Sequence, residues 1–277
     1  MAITAKVIQH SISQGIDLIT FELEYPRFIH SELMTHRVFS RNAASSRAIP
    51  ISKMMEQILL NPAKPVYWGL DMKGMKAKLA HLEPEKCIGV WEEAALAALS
   101  QARKLESLGL HKQIVNRVLE PFQTMKTIVT STEWDNFYNL RAHRDAQPEF
   151  KVLAEEMQSA AKESVPFLLN AEEWHVPYVS RYRCPEYENI FYYIDNEDQT
   201  ELTLKQALMI SSSCCAQVSY RVLDDSLDKA QAIHDHLVSS VPMHASPFEH
   251  QAMPAKHNEF HANFKGWSQY RAKLEQM

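Results

Sequence analysis

Residues 35–47, THRVFSRNAASSR, hold three arginines, a histidine, an asparagine and the hydroxyls of Thr35, Ser40, Ser45 and Ser46, without one acid. The segment carries a local charge of about +3, an excess that suits an anion, inside a chain whose formal net charge is -5. Arginine presents a planar fork of donors matched to phosphate or carboxylate, and a charge-assisted hydrogen bond shielded from water is worth roughly 1.5–3 kcal/mol. Serine adds short-range donors. The same composition also describes a solvated basic turn or helix face, so the segment alone leaves both readings open.

Other stretches carry chemistry too. Arg117 stands four residues before Pro121, as an anion contact or a solvated helical arginine. Residues 122–150, FQTMKTIVTSTEWDNFYNLRAHRDAQPEF, mix cations, hydroxyls and aromatics. Residues 217–221 read QVSYR, and 244–250 read HASPFEH. The latter sets a histidine, a hydroxyl and a carboxylate around a Ser-Pro turn, able to hydrogen-bond a polar heterocycle or ribityl chain, or simply to cap the turn.

Periodicity gives the elements that hold these residues. Two alternating runs in 5–24 flank Ser13-Gln14-Gly15 and predict a hairpin with its second strand over 17–24. Pro26 is suited to open a helix that buries Phe28, Ile29, Leu33 and Met34 and delivers the chain to Thr35. Residues 51–60 predict a short amphipathic helix, and 61–74 a loop in which Tyr67 and Trp68 pack as a lid or as ordinary loop side chains. The clearest helix is expected over 85–108, with Gly109 suited to close it. Further helices are expected over 111–119, 151–162, 203–216 and 225–238. Residues 174–198 are dense in aromatics, Tyr187 among them, and interrupted by Pro177 and Pro185; they predict an ordered excursion of irregular path with a local ring cluster. No repeat or linker calls for a second domain, so 1–277 is expected to form one.

Composition narrows the classes. A chain of 277 residues with 45% hydrophobic content can bury a substantial core. It has no apolar run of the roughly 18–20 residues that span a bilayer, and its N-terminus lacks a secretory apolar core, so a cytoplasmic location is expected. Cys87, Cys184, Cys214 and Cys215 form no CxxC pair and read as reduced packing residues. Overall acidity argues against broad nucleic-acid binding, which rewards extended basic surfaces. None of the six glycines lies in a GxGxxG or GxxxxGK[ST] cradle, so a nucleotide must be held by side chains.

The basic stretch resembles the signature of the flavin-dependent thymidylate synthases, RHRxxSxNExSxR. His36, Arg37, Ser40, Asn42, Ser45 and Arg47 match, while Thr35 replaces the leading arginine and Ala43 the glutamate. Arg117 with Pro121 is similar to that family's ARxxLP segment. Residues 136–141 and 146–149 are similar to NFxxLR and AQxE, with Lys151 where arginine follows. Residues 217–221 resemble ARVSY, and 244–250 resemble HxTPFEH. In the usual order these last two precede the signature, so the resemblance implies a circular permutation.

The resemblance implies an α+β fold with a mostly antiparallel sheet and several long helices. It implies reductive methylation of dUMP to dTMP, with carbon from methylenetetrahydrofolate, bound FAD reduced by NADPH, and a homotetramer with shared active sites. Ser45, Ser46 and Arg47 would hold the nucleotide, Arg47 or Arg141 would stabilise negative charge on the activated ring, and Arg117 would hold phosphate. Glu32, at a family glutamine position, is a further substrate candidate. His36, Arg37, Val38, Asn136, Ser219, His244, Ser246 and Glu249 would hold FAD. No cysteine nucleophile is needed when hydride chemistry resides in the cofactor, and Ser45, lacking a partner base, reads as a positioning group. No metal is expected, no membrane and no nucleic acid. The alternatives are a flavin-dependent pyrimidine nucleotide hydroxymethylase, a metal-dependent hydrolase built on His234, His236, His244 and His250 without an HExxH motif, and a non-enzymatic nucleotide-binding protein.

Overall fold

The computed structural model describes residues 3–74, 76–77, 79–186, 189–195, 199–219 and 223–276. Tyr187, Tyr220 and Arg221 lie outside the described residues. Strands β1 (Thr4–Ser13) and β2 (Ile16–Pro26) form the expected hairpin. Its turn sets Gln14 at φ 51° and Gly15 at φ 76°, the two left-handed residues that match a tight turn to right-handed strand twist.

After a 3-10 turn (Arg27–Ile29) and the short α1 (His30–Leu33), the middle of the basic stretch becomes strand β3 (Ser40–Ala43). Its residues, SRNA, carry no apolar alternation from which a strand could be read. Helix α2 (Ile51–Leu60) follows Pro50 as expected. Helix α3 (Pro84–Ser107) ends at Gly109, φ 79°. There Gly109 N donates to Glu106 O at 2.9 Å and Leu110 N to Leu105 O at 3.2 Å, the paired bonds of a Schellman closure.

Next come α4 (Lys112–Val118), β4 (Thr124–Ser131), α5 (Asp135–Arg141), α6 (Pro148–Glu163) and β5 (Phe167–Leu168). The aromatic excursion corrects its expectation of an irregular path. Strands β6 (Ser180–Arg183), β7 (Ile190–Tyr193) and β8 (Glu201–Leu202) pair antiparallel in a small sheet, with Trp174, Val176, Val179 and Tyr192 in the expected cluster. Helix α7 (Leu204–Ala216) starts from a Thr203–Gln206 capping box, and α8 (Leu227–Ser239) follows. Strands β9 (Ala252–Pro254), β10 (Phe260–His261), β11 (Phe264–Lys265) and β12 (Trp267–Gln269) lead to α9 (Tyr270–Leu274). Cys214 and Cys215 are buried and unpaired, and burial raises both thiols.

Among the described residues, five strands form the main sheet in the order β3-β4-β2-β1-β5. Pairing is antiparallel except between β1 and β5, so the fold is α+β with a mostly antiparallel sheet. One face is apolar. Phe21, Leu23, Tyr25 and Val129 pack there against Phe137, Phe150, Leu153 and Met157. The other face carries a polar row. A bulge between Val7 and Gln9 changes the parity of β1, so Gln9 partners Thr20 while Val7 partners Phe21. Thr20 in turn partners Thr130, and Thr130 partners Ser40. Cross-strand partners share a face, and all four of these polar residues are buried.

Each finds its partner in the C-terminal part. Gln9 Nε2 donates to Val179 O at 3.1 Å, and Thr20 Oγ1 meets His175 Nε2 at 2.8 Å. Thr130 Oγ1 meets His250 Nδ1 at 2.8 Å, and Gln269 Nε2 donates to Ser40 Oγ at 2.8 Å. Among the described residues, no helix is long and apolar enough to cross a membrane. Thr20→Val conserves volume but strands the His175 ring and the Thr130 hydroxyl, so it should lower the unfolding free energy by about 2–4 kcal/mol. Urea unfolding measures the loss, and a change no larger than that of Thr20→Ser would contradict the role given to this hydroxyl.

Candidate functional site

The basic stretch is shaped by one of its own arginines. Arg41 Nη1 donates to Met34 O at 2.9 Å, His36 O at 3.2 Å and Leu33 O at 3.3 Å, bracing the turns that follow α1. Burial lowers the Arg41 pKa, and the Glu249 charge opposes that shift. Arg41 is therefore structural. Arg37 and Arg47 are exposed, and among the described residues neither guanidinium has a partner.

The next turn is held through its carbonyls by a side-chain amide. Asn116 Nδ2 donates to Ser46 O at 2.7 Å and Ile49 O at 3.1 Å, and Ser46 is buried. Ser45 Oγ accepts from Arg47 N at 3.3 Å.

A second group sits at a cleft of about 1230 Å³ lined by Phe28, Glu32, Tyr67, Trp91, Arg141 and Lys151, among others. Arg141 Nη1 meets Glu32 Oε2 at 2.7 Å, and Arg141 Nε donates to His36 Nε2 at 3.1 Å. The guanidinium carbon lies 4.7 Å from the Phe150 ring centroid. His36 must be neutral to accept this bond. Burial first, then the Arg141 and Arg41 charges, lower its pKa to about 4. Phe39 stacks on the His36 ring and Phe137 meets it edge-on, so His36 lies in the interior.

The cleft wall comes partly from the loop after α2. Glu149 Oε1 accepts from Val66 N at 2.9 Å and its Oε2 from Gln147 Nε2 at 3.1 Å, so the AQPE segment pins this loop to α6. Lys76 Nζ reaches Asp145 Oδ1 and Arg144 O, each at 2.5 Å. Sequence reasoning missed Trp91 and Lys76 as cleft residues, whereas Tyr67, read as a lid or an ordinary loop side chain, does line the cleft. The AQPE spacing was the available signal for Gln147 and Glu149.

The remaining candidates divide. Ser219 Oγ accepts from Ser45 N at 2.8 Å, and Asn42 Nδ2 donates to Cys215 O at 2.8 Å. The Ser246–Glu249 turn packs against β3, where Arg271 Nη1 binds Glu249 Oε1 at 2.5 Å. Val38, Asn136, His244 and Ser246 are exposed. Arg117 stands apart from the cleft lining. It is paired with Glu120 Oε1 at 2.7 Å, an oxygen that Arg27 shares at 3.0 Å. Among the described residues, no group of three or more His, Cys, Asp or Glu is arranged to hold a metal ion.

Residues 10–167 match the family described as thymidylate synthase complementing protein. The chain belongs to this family. The match runs from within β1 through α6 to the first residue of β5 and leaves out Gln9 and the part that docks on the polar row. No curated protein matches the chain.

A crystal structure of the UMP/dUMP methylase PolB from Streptomyces cacaoi, bound with 5-Br dUMP, is similar in fold: TM-score 0.50, 18% identity, 58% of this chain and 90% of that one. The 5-Br UMP complex of PolB gives TM-score 0.49 and 18% identity over 58% of this chain and 89% of that one.

Acid should weaken this family member through its buried histidines. His36 is held to about 4 and His250 to about 3, against an ordinary 6.5. The unfolded chain therefore takes protons first as pH drops below 6.5, and stability present above that value is lost progressively down to the folded-state values. At pH 5 the loss is about 2 kcal/mol for each of the two. Urea unfolding at pH 7.5 and pH 5 should show the combined fall, and equal unfolding free energies would refute the neutral assignment.

Proposed function

We propose that the chain is a flavin-dependent thymidylate synthase that methylates dUMP to dTMP, with its segments in circularly permuted order within a single catalytic domain. The observation that carries the reading is the 2.8 Å hydrogen bond from Ser45 N to Ser219 Oγ. It joins the nucleotide signature to a segment that lies beside it despite the changed order along the chain. The bonds from Asn42 to Cys215 O and from Gln269 to Ser40 support the same arrangement. PolB, of similar fold, is a UMP/dUMP methylase, and a pyrimidine nucleotide suits the free cations here.

The donor set fits FAD. Arg37 and Arg47 are exposed and unengaged among the described residues, as a pyrophosphate or phosphate requires. Arg37, Val38, Asn136, Ser219, His244, Ser246 and Glu249 would hold the flavin, with His36 acting from the interior by orienting Arg141. When bound, the flavin supplies hydride chemistry, methylenetetrahydrofolate the carbon and NADPH the reducing equivalents.

The protein's own part is grip and polarisation. Ser45, Ser46 and Arg47 hold the nucleotide, and Arg117 reaches its phosphate by releasing Glu120. Arg141, fixed between Glu32 and His36, keeps Nη2 free among the described residues. Aimed at a ring carbonyl, that donor stabilises negative charge on the activated uracil without reorganising. A homotetramer would bring the exposed Asn136, His244 and Ser246 to a shared site.

The test is an anaerobic assay of flavin-loaded protein with dUMP, methylenetetrahydrofolate and NADPH, with the product identified by mass. A methyl product supports the reading, a hydroxymethyl product replaces it with hydroxymethylation, and no flavin uptake ends it. Arg47→Ala should abolish turnover while retaining flavin absorbance; full activity would remove Arg47 from the site. Arg141→Lys keeps charge but loses the fork that spans Glu32 and His36, so kcat should fall at least about tenfold, or ~1.4 kcal/mol in the barrier. Unchanged kcat would remove Arg141 from the reacting ring.

A further inference from the structure

A buried chain of hydrogen bonds crosses the polar face of the sheet. Arg181 Nη2 donates to Ser11 Oγ at 2.8 Å, and Ser11 Oγ meets His175 Nδ1 at 2.6 Å. His175 Nε2 meets Thr20 Oγ1 at 2.8 Å, Thr20 Oγ1 meets Thr130 Oγ1 at 2.7 Å, and Thr130 Oγ1 meets His250 Nδ1 at 2.8 Å. Ser11, Thr20, Thr130, His175 and His250 are all fully buried.

The protons in this chain can be counted. Guanidinium only donates, and each hydroxyl owns one proton. The side-chain oxygen of Ser11 meets Arg181, which donates, and His175 Nδ1. The Ser11 proton therefore has an acceptor only if His175 Nδ1 is bare. His175 then carries its proton on Nε2 and gives it to Thr20, Thr20 gives to Thr130, and Thr130 gives to His250 Nδ1. The opposite direction leaves the Ser11 proton with nothing to bind, in a place where unpaired polar groups are costly.

His250 therefore carries its proton on Nε2, and among the described residues that atom has no partner. Burial keeps both rings uncharged: His250 is pushed down to about 3, and His175 well below its ordinary range. His250 directly follows the Ser246–Glu249 turn. The Glu249 carbonyl of that turn accepts from Gln269 Nε2 at 3.1 Å.

We propose that the Arg181–Ser11–His175–Thr20–Thr130 chain is a one-way tautomer lock, which fixes His250 as the Nε2–H form so that the free hydrogen-bonding atom at the base of the Ser246–Glu249 turn is a donor for an acceptor oxygen. Ser11, His175, Thr20 and Thr130 are positioning residues, acting through His250. The oxygen belongs to a retained water or to a ligand seated on the turn. The lock goes beyond the flavin reading and stands without it, because every bond in it lies within the ligand-free chain.

The test is the nitrogen-15 spectrum of the full-length protein labelled at histidine, with His250 assigned through its contact to Thr130. Both His175 and His250 should show protonated Nε2 and bare Nδ1 at neutral pH. A protonated Nδ1 on either ring, or a charged ring, overturns the proposal.

Ser11→Ala removes the proton that sets the direction, so the His250 signals should shift toward the Nδ1–H form although the substitution lies four hydrogen bonds away. Ser11→Thr should restore them. An unchanged His250 spectrum in folded Ser11→Ala overturns the directional claim; if that variant does not fold, the unsubstituted spectrum decides alone. Added FAD separates the two sources of oxygen: a shifted Nε2 signal assigns it to the ligand, an unshifted one to water. Failure to take up FAD would end the flavin reading and leave the tautomer result decisive.

Discussion

The fold depends on the polar row that Gln9, Thr20, Thr130 and Ser40 draw across four strands of the sheet. A buried hydroxyl or amide left unpaired costs about 1–3 kcal/mol, so this face is stable only when covered by matching groups. Val179, His175, His250 and Gln269 supply them. Apolar contact alone would let the C-terminal part slide over the sheet, whereas four directional bonds select one register. Because Ser40 belongs to both the row and the signature, the same bonds that dock the C-terminal part also set the strand that carries Arg41 and Asn42 and leads to Ser45.

Local rules made part of this legible. The Gln14-Gly15 turn, the Gly109 closure of α3 and the Thr203 start of α7 each follow from one or two residues with a specific backbone or capping role. The polar row did not show, because Thr20 and Thr130 look like solvent-facing strand residues until the covering layer is known. Strand β3 was hidden for a related reason: its sequence, SRNA, is polar, and only pairing with β4 makes it a strand. The small sheet β6–β8 was masked by Pro177 and Pro185, which fall outside its strands.

The site was legible as a set of segments and illegible as a division of labour. Spacing marked three arginines in the signature without separating Arg41, which holds carbonyls, from Arg37 and Arg47, which are free. His36 reads like a surface ligand in the signature and is an interior acceptor for Arg141. Tyr67 and Lys76 reach the cleft through tertiary contacts across a long loop, which no short spacing encodes.

That division has an electrostatic consequence. Arg141 is immobilised by a carboxylate, a neutral imidazole and an aromatic ring, so its remaining donor needs little reorganisation to meet a ligand. Arg37 and Arg47 are the reverse. An exposed ion pair is worth about 0–1 kcal/mol and is screened by salt, so these two cations gain strength only when something excludes water from them. A large planar ligand or a neighbouring subunit would do so. The family member thus pairs a rigid interior arginine, suited to steering charge on a ring, with exterior arginines whose grip depends on being covered. The exterior pair flanks the short strand β3 along the chain, so the polar row that fixes Ser40 also fixes the segment that carries them.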